Sequence, residues 1–264
     1  MSLIAIDETK CIRDGACVAE CPAYLIELRP GDRAPRSIEG AEDRCIDCGH
    51  CVAVCPHGAL SLRAMSPDDC QPVQPDLLPS AASTEHLLLA RRSIRAFRDR
   101  AVPREVLARL LEVGRYAPTG SNTQLVEWLV YYETAGVRRI TGLVEDWMRA
   151  NASPRDLRAL ELAAAHGADR ICRGAPHLVF AHVPKGREGD GMIALSYLEV
   201  AAFAEGVGAC WAGFVTAASR AWGPLQAELG LPEGRVLAGG MLLGYPCYEY
   251  PRIPPRRELR AAWR

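Results

Sequence analysis

Charge of one sign is what this sequence lacks first. It sets 31 Lys+Arg against 32 Asp+Glu in 264 residues, and a net charge of −1 leaves no electrostatic footprint for nucleic acid or an anionic membrane. A long uninterrupted apolar run is missing too. The most apolar stretch, residues 192–218, is broken by Glu199, Glu205 and Gly206-Val207-Gly208, and it reads as a buried helix followed by a turn rather than a membrane span. The opening Met-Ser-Leu-Ile-Ala-Ile-Asp has neither the basic nor the apolar region of a signal peptide, so the expected location is cytoplasmic. No Ser-His-Asp set and no paired carboxylates are visible. With 49% hydrophobic residues the chain is neither disordered nor fibrous, and it can bury a core in one or two domains.

What is present is cysteine, eleven in all, seven of them between Cys11 and Cys55. In a reducing compartment such clustering points to metal rather than disulfides. A shift of 34 residues lays Cys11-Ile-Arg-Asp-Gly-Ala-Cys-Val-Ala-Glu-Cys-Pro22 over Cys45-Ile-Asp-Cys-Gly-His-Cys-Val-Ala-Val-Cys-Pro56, with eight of twelve positions identical. Each copy is too short to bury a core, so bound metal must supply much of the stability. Residues 59–62 read as a short closing strand. The remaining cysteines, Cys70, Cys172, Cys210 and Cys247, show no ligand spacing.

Residues 66–83 hold four prolines without helical or strand periodicity, which predicts a linker between a domain over 1–65 and another over 84–264. The charge is split between the two sides: residues 1–70 stand at −5 and the rest at +4. Beyond the linker, helices are expected near 85–92, from Pro103, over 137–149 and over 154–166, the last with Ser153 as N-cap and Pro154 at its first position. Strands are expected at 127–133, 177–182 and 236–243, which makes the fold class α+β.

The second repeat is a complete C-x-x-C-x-x-C-x-x-x-C-P run, a spacing at which three close thiolates and one distant one wrap a cubane iron–sulfur cluster. Zinc ribbons instead use two separated C-x-x-C pairs. Residues 1–65 resemble the bacterial two-cluster ferredoxin domain, in which the fourth Cys of each run serves the other cluster. The resemblance implies a [4Fe–4S] cluster on Cys45, Cys48, Cys51 and Cys21, and a second cluster on Cys11, Cys17 and Cys55. Asp14 stands where that family has its second cysteine. Carboxylate is a harder ligand than thiolate, so the second site is either an Asp14-ligated [4Fe–4S] cluster or a three-iron [3Fe–4S] cluster.

Arg91-Arg92-Ser93-Ile94-Arg95-Ala96-Phe97 sets three guanidinium groups and a hydroxyl in one short stretch, chemistry suited to phosphate. Ala117-Pro118-Thr119-Gly120-Ser121-Asn122-Thr123-Gln124 comes about twenty residues on. In this order the two motifs resemble those of the FMN-dependent nitroreductase family, a likeness spanning roughly 85–264. The resemblance implies an α+β sandwich on a central, mainly antiparallel sheet, and a homodimer with FMN at the interface. It places Arg91, Ser93 and Arg95, with Arg92 adjacent, on the phosphate. Pro118, Thr119, Gly120, Ser121, Asn122 and Gln124 would approach from the neighbouring subunit. Trp211, Ala212 and Gly213 would lie along the flavin edge, and Arg256, with Arg257 as alternate, would return to the phosphate. Where the family commonly continues Pro-Trp after that glutamine, this chain has Leu125-Val126.

Clusters move single electrons and flavin delivers pairs, so the fusion implies an oxidoreductase that carries electrons from clusters to FMN and on to an electrophilic acceptor such as a nitroaromatic, quinone or conjugated compound. The donor would be a redox protein or NAD(P)H. The alternative is an electron carrier or redox sensor with no substrate of its own.

Overall fold

A computed structural model describes residues 3–264. The chain divides into two compact units, one running to Leu78 and including Ser121–Thr123, the other comprising Pro79–Gly120 and Gln124–Arg264.

In the first unit, β1 (Ile4–Ile6) precedes α1 (Ala16–Ala19), β2 (Ile26–Glu27), β3 (Arg36–Ser37), α2 (His50–Ala53) and β4 (Leu60–Leu62). The unit closes on itself because β1 pairs antiparallel with β4, Ile4 opposite Leu62 and Ile6 opposite Leu60, while β2 pairs with β3. Its small core takes Leu3, Ile4, Leu25, Ile26, Leu60 and Leu62 together with Cys17 and Cys51. The duplication extends to the backbone. Arg13 and Asp47 both adopt positive φ, at 61° and 48°, and Gly15 and Gly49 come next at 75° and 72°.

The second unit holds α3 (Ala81–Ala90), α4 (Arg104–Arg115), β5 (Glu127–Tyr131), α5 (Thr134–Asn151), α6 (Pro154–Ala165), β6 (His177–Pro184), α7 (Glu188–Ala204), β7 (Gly208–Trp211), α8 (Gly213–Ser219), α9 (Gly223–Leu229) and β8 (Arg235–Gly244). Its sheet runs β5-β6-β8-β7, every neighbouring pair antiparallel. Alternation along β6 divides the core. Leu178 and Phe180 face the layer that includes Val137, Ile140, Val144 and Met148 of α5. Val179, Ala181 and Val183 face Leu107 and Leu110 of α4 with Leu195 and Leu198 of α7. Helix α7 approaches β8 closely because residue 191 is glycine: a Cβ there would lie 2.4 Å from that of Ala238. The fold is the expected α+β arrangement of an amino-terminal ferredoxin-like unit and a nitroreductase-like antiparallel sheet with helices on both faces.

Several expectations shift. The first helix of the second unit starts earlier than 85, at Ala81, where the Ser80 hydroxyl caps it by accepting the Ser83 N–H at 3.1 Å; the end of the expected linker is thus helical. Residues 67–69 and 75–77 form short 3-10 turns. The helix after Pro103 starts at Arg104, and α6 has Ser153 as cap and Pro154 at its start. The strands occupy Glu127–Tyr131, His177–Pro184 and Arg235–Gly244. In 192–218 the helix expected to be buried ends at Ala204 and buries only one face, leaving Met192, Ile193, Tyr197 and Phe203 exposed, and strand β7 and helix α8 succeed it where a simple turn was expected. No helix among the described residues is long and apolar enough to cross a membrane.

Candidate functional site

In the first unit, Cys21, Cys45, Cys48 and Cys51 line one hollow, bounded by Leu3, Ile4 and Leu62. Cys11, Asp14, Cys17 and Cys55 line a second, with His57 beside them. Each hollow therefore takes three residues of one repeat and the last cysteine of the other. The backbone supports both in the same way: Leu25 N–H donates to Cys21 Sγ at 3.3 Å, and Ala59 N–H donates to Cys55 Sγ at 3.2 Å. Such bonds stabilise a thiolate and tune whatever metal it holds. Burial pushes Cys51 up to about 11 and raises Cys17 and Cys45 as well, so their thiolates need the positive charge of bound metal.

The donor sets fit iron–sulfur clusters: soft sulfur throughout in the first hollow, three sulfurs and one carboxylate in the second. No group of three His, Cys, Asp or Glu among the described residues closes around a single ion. The two loops also differ electrostatically. Asp14 Oδ1 accepts the Ala16 N–H at 3.1 Å and is otherwise exposed. Asp47, inside the Cys45–Cys48 loop, takes a bidentate grip from Arg63 at 3.0 and 2.6 Å, and that guanidinium holds its carboxyl below the usual carboxylate range.

In the second unit, the arginine motif leaves α3 and runs along the free edge of β7, with a parallel bridge from Ser93 to Ala209. Arg91 lines a cavity of about 240 Å³ with Glu199, Phe203, Gly208 and the exposed Tyr248 and Tyr250. Arg91 Nη1 donates to Glu199 Oε1 at 2.8 Å. Arg92 departs from expectation: its guanidinium turns back to the carbonyls of Arg91 and Leu89, both at 2.6 Å, and so caps the end of α3. Arg95 is exposed, and no hydrogen bond or ion pair among the described residues holds it.

Arg173, which sequence reasoning missed, lies beside Arg95. Burial, then Arg170 and Arg95, push its guanidinium below the usual arginine range. It sits at φ 59° in a turn built on Asp169, whose carboxylate accepts N–H bonds from Ile171, Cys172 and Gly174. Like charges side by side, one of them half-buried, are costly unless an anion joins them, and this arrangement fits a phosphate.

The loop from Ala117 to Gln124 is strained. Ser121, Asn122 and Gln124 all have positive φ near 50°, at roughly 1–3 kcal/mol each. Thr119 Oγ1 accepts the Gln124 N–H, Gly120 N–H donates to Asp190 Oδ1 at 3.0 Å, and the Gly120 carbonyl accepts from Arg187 Nη1 at 3.4 Å. Pro118 is exposed. Asn122 groups with the first unit, where its Nδ2 donates to the carbonyls of Ile46 and Asp47 at 3.0 and 3.1 Å. Trp211 is 37% exposed, and its Nε1 donates to Glu199 Oε2 at 3.3 Å. Ala212 has a buried side chain and donates its N–H to the Gly240 carbonyl, so only Trp211 and Gly213 of that trio present surface. Arg256 and Arg257 lie in an exposed tail without secondary structure, and no hydrogen bond or ion pair among the described residues brings either to Arg91 or Arg95.

Residues 88–245 match the model of the nitroreductase family, and residues 10–59 match that of a 4Fe-4S dicluster domain. The chain belongs to the nitroreductase family, is an oxidoreductase of it, and carries an amino-terminal 4Fe-4S dicluster domain. Solved structures repeat the fold of the second unit. A nitroreductase with bound FMN from Bacteroides fragilis NCTC 9343 is 22% identical with a TM-score of 0.55, over 67% of this chain and 94% of that one. Another with bound FMN, from Desulfitobacterium hafniense DCB-2, is 20% identical with a TM-score of 0.57, over 68% and 98%. An FMN and NADPH-dependent nitroreductase from Sphigopyxis sp. strain HMH is 25% identical with a TM-score of 0.52, over 69% and 99%.

Proposed function

We propose that this chain is a cytoplasmic, homodimeric iron–sulfur flavoprotein that carries reducing equivalents through its clusters to FMN and on to an electrophilic small molecule: a nitroaromatic, a quinone or a conjugated compound. The observation that supports it most is the coexistence of two four-residue hollows in the first unit with an arginine motif lying against a cavity in the second. Cys21, Cys45, Cys48 and Cys51 hold a [4Fe–4S] cluster. Cys11, Cys17 and Cys55 hold the other, which is four-iron if Asp14 closes it and three-iron if it does not.

Bound FMN supplies hydride-equivalent chemistry, and the clusters supply one-electron transfer. The chain's own residues bind and orient. Arg91, Ser93 and Arg95 grip the phosphate, with Arg173 beside Arg95 and Arg256 on the tail. Trp211 and Gly213 border the ring. Pro118, Thr119, Gly120, Ser121, Asn122 and Gln124 form the loop that a partner subunit presents. Exposed Met192, Ile193, Tyr197 and Phe203 on α7 give the dimer an apolar face.

Electrons enter from a redox protein or from a nicotinamide nucleotide, as in the NADPH-dependent relative. Anaerobic purification with assays of iron, sulfide and flavin tests the cofactors. A panel of acceptors, compared with free reduced FMN, tests the enzyme. Absence of flavin in protein with intact clusters, or turnover no faster than free FMN, would sink the reading.

A further inference from the structure

Helix α7 carries a single charged residue over 192–204, Glu199, which is only 7% exposed. A carboxylate at that depth needs partners for both oxygens. It has them: Oε1 accepts from Arg91 Nη1 at 2.8 Å, and Oε2 accepts from Trp211 Nε1 at 3.3 Å. These partners come from two different elements, Arg91 from the end of α3 and Trp211 from the end of β7.

As a simple electrostatic element, Glu199 is out of place. It lines the same cavity as Arg91, and its negative charge opposes any phosphate that Arg91 would bind. What it gives in return is direction. The neighbouring Arg92 also lines the cavity, but its guanidinium is spent on the carbonyls of its own helix end, those of Arg91 and Leu89. Glu199 engages one of the five N–H donors of Arg91 instead, leaving the remainder of its fork for a ligand.

We propose that Glu199 is a positioning residue, holding the Arg91 guanidinium for the phosphate monoester of a flavin nucleotide and the Trp211 indole for its ring system. This rests on the proposed FMN site. One buried carboxylate thus sets both ends of the ligand from a single rigid helix, which is how a site achieves preorganisation without a flexible loop.

The test is the affinity of the deflavinated full chain for FMN and for riboflavin, which lacks the phosphate, measured by flavin fluorescence in wild type, Glu199→Leu, Glu199→Gln and Trp211→Phe. Glu199→Leu should weaken FMN about tenfold or more, the effect of one charge-assisted contact, and shift riboflavin far less. Glu199→Gln keeps an oxygen for Arg91 and should restore most of the FMN affinity. Since its amide has no second acceptor for the indole, it should share with Trp211→Phe an altered spectrum of the bound flavin.

Three results overturn the inference. The first is a Glu199→Leu chain that binds FMN as tightly as wild type or more tightly, the outcome of charge alone. The second is equal loss of FMN and riboflavin in that variant, the outcome of a purely structural ion pair. The third is failure of Glu199→Gln to restore what Glu199→Leu loses. A wild-type chain with intact clusters that takes neither flavin would instead defeat the proposed function itself.

Discussion

Ile94 donates its backbone N–H to the Ala209 carbonyl at 2.8 Å, and with that bond the arginine motif becomes the parallel edge partner of β7. The approach depends on Gly208. A Cβ there would stand 2.8 Å from Ile94 Cγ1 and 3.0 Å from its Cβ. Gly208→Ala should therefore push the motif off the strand, destabilise the second unit by about 1–3 kcal/mol and weaken flavin binding with it. Thermal melting and FMN titration read both effects, and an unchanged melting temperature would mean that the edge adapts freely.

Arg91→Ala should cost about 1.5–3 kcal/mol of FMN binding, roughly 10- to 150-fold in Kd. Arg256→Ala should cost less, because the tail carrying Arg256 is exposed and lacks secondary structure to hold it at the cavity. Iron and sulfide content should be untouched in both variants. Equal losses at the two positions would show that the tail folds onto the phosphate as firmly as Arg91 does.

Asp14 comes after a residue of positive φ and precedes a glycine of positive φ, the same backbone setting that Cys48 has in the second repeat. Asp14→Cys should then need no rearrangement to complete a fourth sulfur ligand. Wild type should contain one robust [4Fe–4S] cluster and one labile site, and the variant two stable ones. Electron paramagnetic resonance of anaerobically purified protein decides. Two indistinguishable, air-stable four-iron clusters in the wild type would remove any special role for Asp14.

Local chemistry was readable where the cause was local. Ser153 and Pro154 mark the start of α6 because cap and ring act on their own neighbours. Which cysteines share a hollow followed instead from the resemblance to two-cluster ferredoxins, since Cys21 and Cys55 each join the other repeat. Strand β7 escaped notice because Gly-Ala-Cys-Trp has no β-branched residue; it is extended because Cys210 and Trp211 pair with Leu242 and Met241. Strand β6 outruns its expected end because the register resumes after a bulge, with Val183 opposite Val236. Glu199 was visible as the acid that interrupts an apolar run, but its partner Arg91 is 108 residues away. Arg173 had no signal at all, since only the Asp169 turn delivers it to Arg95.

His177 is buried, with Nδ1 2.6 Å from the Tyr132 carbonyl and Nε2 accepting the Val102 N–H at 2.8 Å. One nitrogen must donate and the other accept, so the ring is neutral, and burial pushes its pKa below the usual histidine value. The unfolded chain takes up a proton near pH ~6.5 and the folded ring resists it. Stability is thus fully present above about pH 6.5 and falls as pH drops below it, by at most ~1.4 kcal/mol per pH unit for one site. All five tryptophans lie in the second unit, so their fluorescence in urea titrations reports it alone. His177→Gln should flatten the slope between pH 7 and 5 to what His182, also lowered by burial, leaves behind. An unaltered slope would assign the acid sensitivity elsewhere.

The electron route is tested by removing the clusters. A cut near Ser83 would delete the Ser80 cap and the first turn of α3, so the shortened chain should begin at Pro79. It should still dimerise, bind FMN and be reduced by dithionite, since none of these needs iron. If electrons enter through the first unit, whose −5 charge over residues 1–70 suits a basic donor protein, the shortened chain should lose reduction by that donor and turnover along with it. Stopped-flow reduction of the flavin, in the full and shortened chains side by side, separates the cases. If the shortened chain runs at full rate with NADPH as sole donor, hydride enters at the flavin, and the clusters serve as an exit for single electrons or as a structural element.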